Sequence, residues 1–219
     1  MTLPELASFA GGTLATGGDY DAVEFRDLDL SGQSAGNARF LECGIFGCRL
    51  DQATLRRGHF VDCVLDESQA TSLDVADSSW RDTVISSCRF GALVAHGSDM
   101  TRVQVTGGKL DYVNLRGGTA TDVVFKGCLL GEIDVGAAQL SRLRFVDCEI
   151  ELLDVSGARL DEVDLSRSEL RRITGLANLA GAVISERQAA ELASAFARHL
   201  GVRIAATETE EVSGGRVDL

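Results

Sequence analysis

Carboxylates recur at intervals of 20 residues, and this spacing is the feature of the sequence best suited to binding chemistry. In a backbone that turned once every 20 residues they would stack about 5 Å apart, where like charges repel. The carboxylates of this column are Glu42, Asp62, Asp82, Asp122 and Glu162, with Arg102 and Arg142 at the two intervening positions. Two interpretations stay open: an acidic track that fits a basic groove, or a solvated wall in which the arginines pair with their neighbours.

The net charge narrows the class of partner. A formal charge of −12 disfavours direct binding to nucleic acid or to an anionic membrane, and it is compatible with a basic protein surface. The first residues do not resemble a signal peptide, and no apolar run approaches the length of about 18 residues that a membrane span needs. We therefore expect a cytoplasmic protein that binds neither membrane nor nucleic acid directly.

Residues that could ligate metals or act as nucleophiles lack the partners that such chemistry requires. The six cysteines are Cys43, Cys48, Cys63, Cys88, Cys128 and Cys148. All of them lie at a small inward position of the repeat described below, which predicts apolar filling of a core instead of disulfides. None of the three histidines, His59, His96 and His199, has a second histidine or a pair of carboxylates at the sequence spacing that a metal site requires. We expect no catalytic residue, no metal site and no cofactor.

A period of five residues organises most of the chain. Every fifth residue from Tyr20 to Leu170 is apolar. The position two residues earlier is small or aliphatic and uncharged, with Gln33 as its one exception. This period fits neither an amphipathic helix nor a hairpin sheet. Two inward residues in five require a corner every five residues, so four corners close a coil of 20 residues, and about seven and a half such coils would stack by parallel β pairing at about 4.8 Å.

Four segments resemble the pentapeptide-repeat family, whose loose consensus is A(D/N)Lxx. They are Leu28-Asp29-Leu30-Ser31-Gly32, Val113-Asn114-Leu115-Arg116-Gly117, Leu153-Asp154-Val155-Ser156-Gly157 and Ala177-Asn178-Leu179-Ala180-Gly181. The resemblance covers residues 18–184 and implies an all-β fold, a right-handed quadrilateral parallel β-helix. The register loses one residue near Arg171–Gly175, because the next apolar centres are Leu179 and Ile184.

Both ends of the predicted coil need caps, because a solenoid end exposes unpaired backbone. We predict an N-terminal cap over residues 1–17, a C-terminal helix and dimerisation module over 185–205, and an acidic mobile tail over 206–219. Ser185 and Gln188 form a capping-box pattern at the helix start, and Gly201 supplies a stop after about Leu200. The apolar arc of the helix includes Leu192, Phe196 and Leu200.

The C-terminal segment resembles one branch of the pentapeptide-repeat family more closely. Residues 175–182, Gln188-Ala189 and 199–202 look like the end of the quinolone-resistance proteins of the Qnr and MfpA type. That resemblance implies a homodimer through Leu192, Phe196 and Leu200. It also implies a rod that resembles B-DNA and binds DNA gyrase, or topoisomerase IV, in place of DNA.

Two functions from different classes follow from the sequence. The first is a non-enzymatic DNA mimic that modulates a type II topoisomerase or protects it from inhibitors such as quinolones. The second is a general protein-interaction rod with an unknown cytoplasmic partner. A continuous negative surface would favour the first, and a mixed surface would favour the second.

Overall fold

The computed structural model describes residues 2–205, and nearly all of them belong to one four-sided coil. Successive strands pair in parallel, and partners lie 20 residues apart, as in Phe40 with Phe60 and Leu110 with Leu130. This register confirms the predicted parallel β-helix with a 20-residue turn, and the predicted tail 206–219 lies outside the described residues.

The strands form one rung per turn on each side, and each side is named by its inward centres. The first side, centred on Tyr20 and every twentieth residue after it, contains Asp19–Asp21, Arg39–Leu41, His59–Val61, Ser79–Arg81, Asp99–Thr101, Thr119–Thr121, Gln139–Ser141 and Arg159–Asp161. The second side, centred on Phe25, contains Ala7–Ser8, Val23–Arg26, Gly44–Phe46, Val64–Asp66, Val84–Ser86, Gln104–Thr106, Val124–Lys126, the first parts of Arg144–Asp154 and Val163–Leu170, and Ala182–Val183. The third and fourth sides, centred on Leu30 and Ala35, contain Ala53–Thr54, Gln69–Asp74, Arg89–Val94, Lys109–Asn114, Leu129–Asp134, the later parts of Arg144–Asp154 and Val163–Leu170, and Ile173–Thr174.

The rod is longer than the period alone predicted. The second side holds ten rungs, because Ala7–Ser8 pairs below Val23 and Ala182–Val183 pairs above Val163. Ten rungs are separated by nine steps, so the coil makes about nine turns and is roughly 43 Å long at about 4.8 Å per step. The regular repeat from Tyr20 to Leu170 indicated only seven and a half turns, because neither terminal rung keeps the five-residue pattern.

The interior is filled by columns of like residues, one per turn. On the first side the rings of Tyr20, Phe40, Phe60 and Trp80 stack with centroid separations of 5.0, 4.9 and 3.9 Å. The buried Trp80 indole N–H donates to the Ser78 hydroxyl at 2.7 Å. Stacked aromatic pairs add about 0.5–1.5 kcal/mol beyond the area they bury, so the column joins the first four turns into one unit.

The corners are built by residues in the left-handed backbone region. At the corner between the first and second sides, these residues are Ala22, Glu42, Asp62, Asp82, Arg102, Asp122, Arg142 and Glu162, with φ between 50° and 57°. Such a conformation costs about 1–2 kcal/mol per residue for anything but glycine. The neighbouring turn offsets the strain, because the N–H groups of seven of these eight residues, from Ala22 to Arg142, donate to a carbonyl there, as Glu42 does to Val61 at 2.9 Å. Val, Ile and Thr are absent from the left-handed positions of the described residues.

The corner between the third and fourth sides changes along the rod. Gly32 and Gln52 take the left-handed conformation there in the first turns. From Gln69 onward the strand instead continues round the corner, as in Gln69–Asp74.

The last turn is one residue short, as the sequence predicted. Asp154 still pairs with Thr174 at a separation of 20, whereas Val163 pairs with Ala182 at a separation of 19. The missing residue therefore lies between Thr174 and Ala182. This segment begins at the end of the predicted stretch, Arg171–Gly175, and extends beyond it. Gly181 occupies this tight corner with φ +91°, where a β-carbon would collide with the Leu160 carbonyl oxygen.

The N-terminal segment covers the first turn through one polar and one aromatic contact. The side-chain oxygen of Gln33 accepts a hydrogen bond from the Leu14 N–H at 2.7 Å, which explains the one amide at the small inward position. The Phe9 ring packs on Phe25 and Tyr20, with centroids 4.7 and 6.0 Å away. These contacts close the exposed end of the apolar column.

Replacing Phe90 by aspartate should prevent folding. Phe90 is 1% exposed, and a carboxylate in its place loses the ring and leaves a buried charge without a partner. Loss of a buried Phe costs about 3–5 kcal/mol, and an unpaired buried ion adds several more, against a typical stability of roughly 5–15 kcal/mol. Far-ultraviolet circular dichroism and the emission of Trp80, the single tryptophan, report the loss. Arg89→Asp, on the exposed face of the same strand, is the matched control and should fold. A folded Phe90→Asp protein of unchanged stability would contradict this inward register.

Candidate protein-binding surfaces

The predicted acidic column lies along one corner of the rod. Glu42, Asp62, Asp82, Asp122 and Glu162 all occupy the left-handed corner between the first and second sides. Sequence spacing predicted one column, and the corner position projects its residues from the edge that the first and second sides share. The structure therefore brings the five residues into one line, with the second side next to it.

Two of the five carboxylates are neutralised by the arginines of the same column. Arg102 holds Asp82 through two hydrogen bonds of 2.6 Å, and Arg142 holds Asp122 through bonds of 2.6 and 2.8 Å. The hydrogen bond from each arginine lowers the pKa of its aspartate, so both carboxylates stay ionised. Glu42, Asp62 and Glu162 have no basic group within 4 Å among residues 2–205. The column is thus part acidic track and part paired wall, and its unpaired acids lie near its two ends.

Three successive turns of the second side carry carboxylates as their only charged residues, and we call this surface the acidic side. It comprises residues 42–47, 62–67 and 82–87. Its five carboxylates, with no basic residue among them, are Glu42, Asp62, Asp66, Glu67 and Asp82. The column prediction missed Asp66 and Glu67, because it followed a single position of the repeat. The same 20-residue spacing would have found them if it had been followed at every position of the side, up to its far corner.

The other sides carry charges of both signs. On the fourth side, Arg116 bonds to the buried Asp134 at 3.0 Å, and Arg56 bridges Asp74 and Asp77 at 3.2 and 3.0 Å. The third side carries a stack of cations that flanks a shallow groove, and these are Arg49, Arg89 and Lys109. Arg49 and Lys109 pair with neighbouring aspartates at 3.1 and 2.9 Å, whereas Arg89 has no carboxylate within 4 Å among residues 2–205. Negative potential is therefore concentrated on one side of the N-terminal half.

The cysteines and histidines occupy structural positions. All six cysteines are buried free thiols that fill the predicted small inward position. Burial raises the pKa of Cys88 to about 12, so its thiol stays protonated. His59 hydrogen-bonds Ser79 at 2.7 Å on the first side. Residues 2–205 contain no group of three or more histidine, cysteine or acidic side chains placed to hold a metal ion. Within the same residues, no helix has the length and apolar character needed to cross a membrane.

The C-terminal helix, Glu186–His199, is attached to the last turn by a buried glutamine. Ser185 and Gln188 form the predicted capping box, in which the Ser185 N–H donates to the Gln188 amide oxygen at 2.8 Å. The same amide donates its two N–H groups to the carbonyl oxygens of Leu165 and Ser168 at 2.8 and 2.9 Å. One side chain thus caps both the helix and the coil, a second role that the sequence pattern did not indicate.

The apolar residues of this helix are only partly covered. Leu192 and Phe196 are half-buried, and Leu200 is 75% exposed. Other exposed apolar side chains near this end are Val183, Val202 and Ile204. The helix ends as predicted, with Gly201 in the left-handed region at φ +72°. The structure therefore leaves a group of apolar side chains open to solvent at the C-terminal end of the rod.

Comparison with known proteins identifies similar folds only at low similarity. No protein-family model matches the chain, and no curated protein matches it. Solved structures that align with it include HetL, a pentapeptide repeat protein involved in heterocyst differentiation regulation in the cyanobacterium Nostoc. HetL is 14% identical, the alignment covers 77% of this chain and 91% of HetL, and the TM-score is 0.40. Full-length QnrB1, a plasmid-mediated fluoroquinolone resistance protein, is 17% identical, with 82% and 99% of the two chains covered and a TM-score of 0.28.

Superpositions this loose add nothing to the assignment of the fold. The assignment rests on the chain's own geometry, in which five-residue sides close a 20-residue coil. Its fold is that of the pentapeptide-repeat proteins.

Gln188→Glu should detach the helix from the coil. Glutamate keeps the oxygen that completes the capping box, loses both donors and places a negative charge against two carbonyl oxygens. Each buried group left unsatisfied costs about 1–3 kcal/mol, so thermal unfolding should begin several degrees lower. Protonation at low pH restores one donor, so the deficit should be smaller at acidic than at neutral pH. Arg187→Gln, at an exposed position of the same turn, is the control. An unchanged melting temperature in Gln188→Glu would show that the two carbonyl contacts do not hold the cap.

Proposed function

We propose that this chain is a non-enzymatic rod that binds DNA gyrase, or topoisomerase IV, on the surface that normally holds DNA. In doing so it modulates the enzyme or protects it from inhibitors such as quinolones. The observation that carries the proposal is the acidic side, whose three successive turns contain five carboxylates and no basic residue of their own, with Arg102 of the next turn pairing only with Asp82.

The charge density of the acidic side supports mimicry of a DNA strand. Three turns occupy about 14 Å of the rod, so the four carboxylates of the acidic side that lack an arginine partner among residues 2–205 give one negative charge per roughly 3.5 Å. Phosphates along one DNA strand are spaced by about 3.4 Å. A basic groove that neutralises phosphates would meet a similar linear density on this side. The third side, where Arg49, Arg89 and Lys109 alternate with carboxylates, would face away from the enzyme or lie at the edge of the contact.

The C-terminal end supports a homodimer within this proposal. The exposed Leu200, the half-buried Leu192 and Phe196, and the neighbouring Val202 and Ile204 form an apolar surface. Apolar groups of this size gain free energy when they leave water, and a second copy supplies a matching surface. A dimer through this end places the two acidic sides in the outer halves of a double-length rod.

A general protein-interaction rod is the second candidate, and the ion-paired corner favours it. The bidentate pairs Asp82–Arg102 and Asp122–Arg142 reduce the negative potential beyond the fourth turn. A partner that reads only the acidic side would need no likeness to DNA along the whole rod. The two candidates differ in whether gyrase responds.

Leu200→Glu should convert the dimer into a monomer. Leu200 is 75% exposed, so its replacement loses almost no packing within one chain and places a charge in the proposed interface. Sedimentation velocity at micromolar concentration should show the change, and Leu192→Glu combined with Phe196→Glu should behave alike. Ser194→Glu, at an exposed position of the same helix, adds the same charge as a control. If the wild-type protein already sediments as a monomer, the helix serves only as a cap and the proposed dimer is wrong.

Gyrase supercoiling tests the proposed partner. Rising concentrations of the protein, with and without a fluoroquinolone, should inhibit supercoiling or restore it at micromolar levels, less strongly as salt increases. Glu42→Gln, Asp62→Asn and Glu67→Gln together should weaken the effect about tenfold, since each exposed charge pair contributes up to roughly 1 kcal/mol. Amides suit the left-handed conformation of these corners, because Asn37 and Gln52 adopt it at other corners of the coil.

A variant with the same charge change on another side is the control. Glu132→Gln, Glu149→Gln and Glu169→Gln lie on the third side and its corner, and together they should leave the effect intact. Equal losses in both triple variants would point to net charge instead of the acidic side. No response of gyrase or topoisomerase IV at any salt concentration would favour the general interaction rod.

A further inference from the structure

The acidic side has an apolar floor between its two rows of carboxylates. At position 44 of the second turn a β-carbon would collide with the Phe46 ring, so Gly44 lets this ring lie flat across the side. The Arg26 guanidinium stacks on the ring at 4.6 Å. Gly44 pairs with Val64, and Val64 pairs with Val84, so the floor continues over three turns. Phe46, Val64 and Val84 are all partly exposed.

The carboxylates stand on both edges of this floor. Glu42, Asp62 and Asp82 line one corner, and Glu67, with Asp66 beside it, lines the other. Asp66 accepts a hydrogen bond from the Ser86 hydroxyl at 2.6 Å, which fixes it at the edge. DNA presents no apolar strip between two rows of charge, so this surface fits a ligand more specific than a phosphate-binding groove.

The dimensions of the floor match those of an α-helix. The two corners of a side are separated by about three extended residues, or roughly 10 Å, and a helix with its side chains is about 10–12 Å wide. The helical pitch of about 5.4 Å is close to the coil rise of about 4.8 Å, so one helical turn falls on each coil turn. Over the two steps from Phe46 to Val84 the mismatch accumulates to only about 1.2 Å.

The apolar floor and the two rows of carboxylates together form a channel. We propose that this channel binds a basic amphipathic helix of the partner protein, which lies along the rod. Its apolar stripe covers Val64, Val84 and the part of the Phe46 ring that Arg26 leaves exposed, and arginines or lysines on its flanks reach the carboxylates of both corners. This inference rests on the proposed function, which selects the acidic side as the contact surface. It adds that the acidic side recognises an α-helix of the partner.

Peptide binding tests the channel without any enzyme. The probe is a stapled, fluorescent helix of about 14 residues, with leucines on one stripe and arginines on both flanks. Its comparison has the same composition with the leucines distributed round the helix. Anisotropy should show tighter binding of the amphipathic probe to the wild-type protein, by about tenfold, with the advantage kept at high salt because apolar burial is not screened.

The decisive variant replaces two of the three apolar residues of the floor and keeps the charge. Val64→Ser with Val84→Ser should lower the affinity of the amphipathic probe about tenfold, to that of the comparison peptide. Val124→Ser, at the same position of the repeat beyond the acidic side, should have no effect. Circular dichroism and Trp80 emission verify that each variant is folded. Equal binding of the two peptides, or a folded double variant that binds normally, would overturn the channel.

The same double variant separates this inference from the proposed function. If gyrase responds to the wild-type protein and equally to the valine variant, the channel is wrong and gyrase binding stands. If the amphipathic probe binds as expected and gyrase never responds, the channel stands and the partner is another protein with a basic helix.

Discussion

Pairing between residues 20 apart is the constraint on which the rest of this structure depends. Most strands are only two to six residues long and would be unstable alone, so every turn relies on the hydrogen bonds and side-chain columns of its neighbours. Because the register is fixed, a residue type at one position becomes a column along the rod. The Tyr20–Trp80 aromatic stack in the interior and the acidic corner on the exterior are two products of the same rule.

The rule explains why so much of the fold could be predicted and why some of the surface could not. Inward positions repeat with residue type, so the five-residue period was enough to place the core and the one-residue loss near Gly175. The capping box at Ser185 followed from local pattern as well. The second role of Gln188 did not, because its carbonyl partners on Leu165 and Ser168 are brought to it only by the closed coil.

The candidate surface was predicted in part for a similar reason. Residues that share one position of the repeat, such as Glu42 and Asp62, are found by counting. Asp66 and Glu67 belong to a different position and join them only because a side is five residues wide. The 20-residue spacing places Arg102 next to Asp82, but it does not determine whether the two side chains reach each other and bond. Amino-acid sequence therefore specifies the columns, and geometry specifies which columns act together.

The shortened last turn affects how the rod ends. A regular coil presents a strand edge that any similar strand can extend, in the same chain or in another molecule. Here Val163 meets Ala182 one residue early, and Gly181 turns the backbone where a side chain would strike Leu160. A further turn laid on Ala182–Val183 would inherit the shifted register, and its inward residues would no longer stand above those of the turns below. The shifted register thus ends the coil before the C-terminal helix begins, and it prevents the edge of the last strand from serving as a template for a fibre.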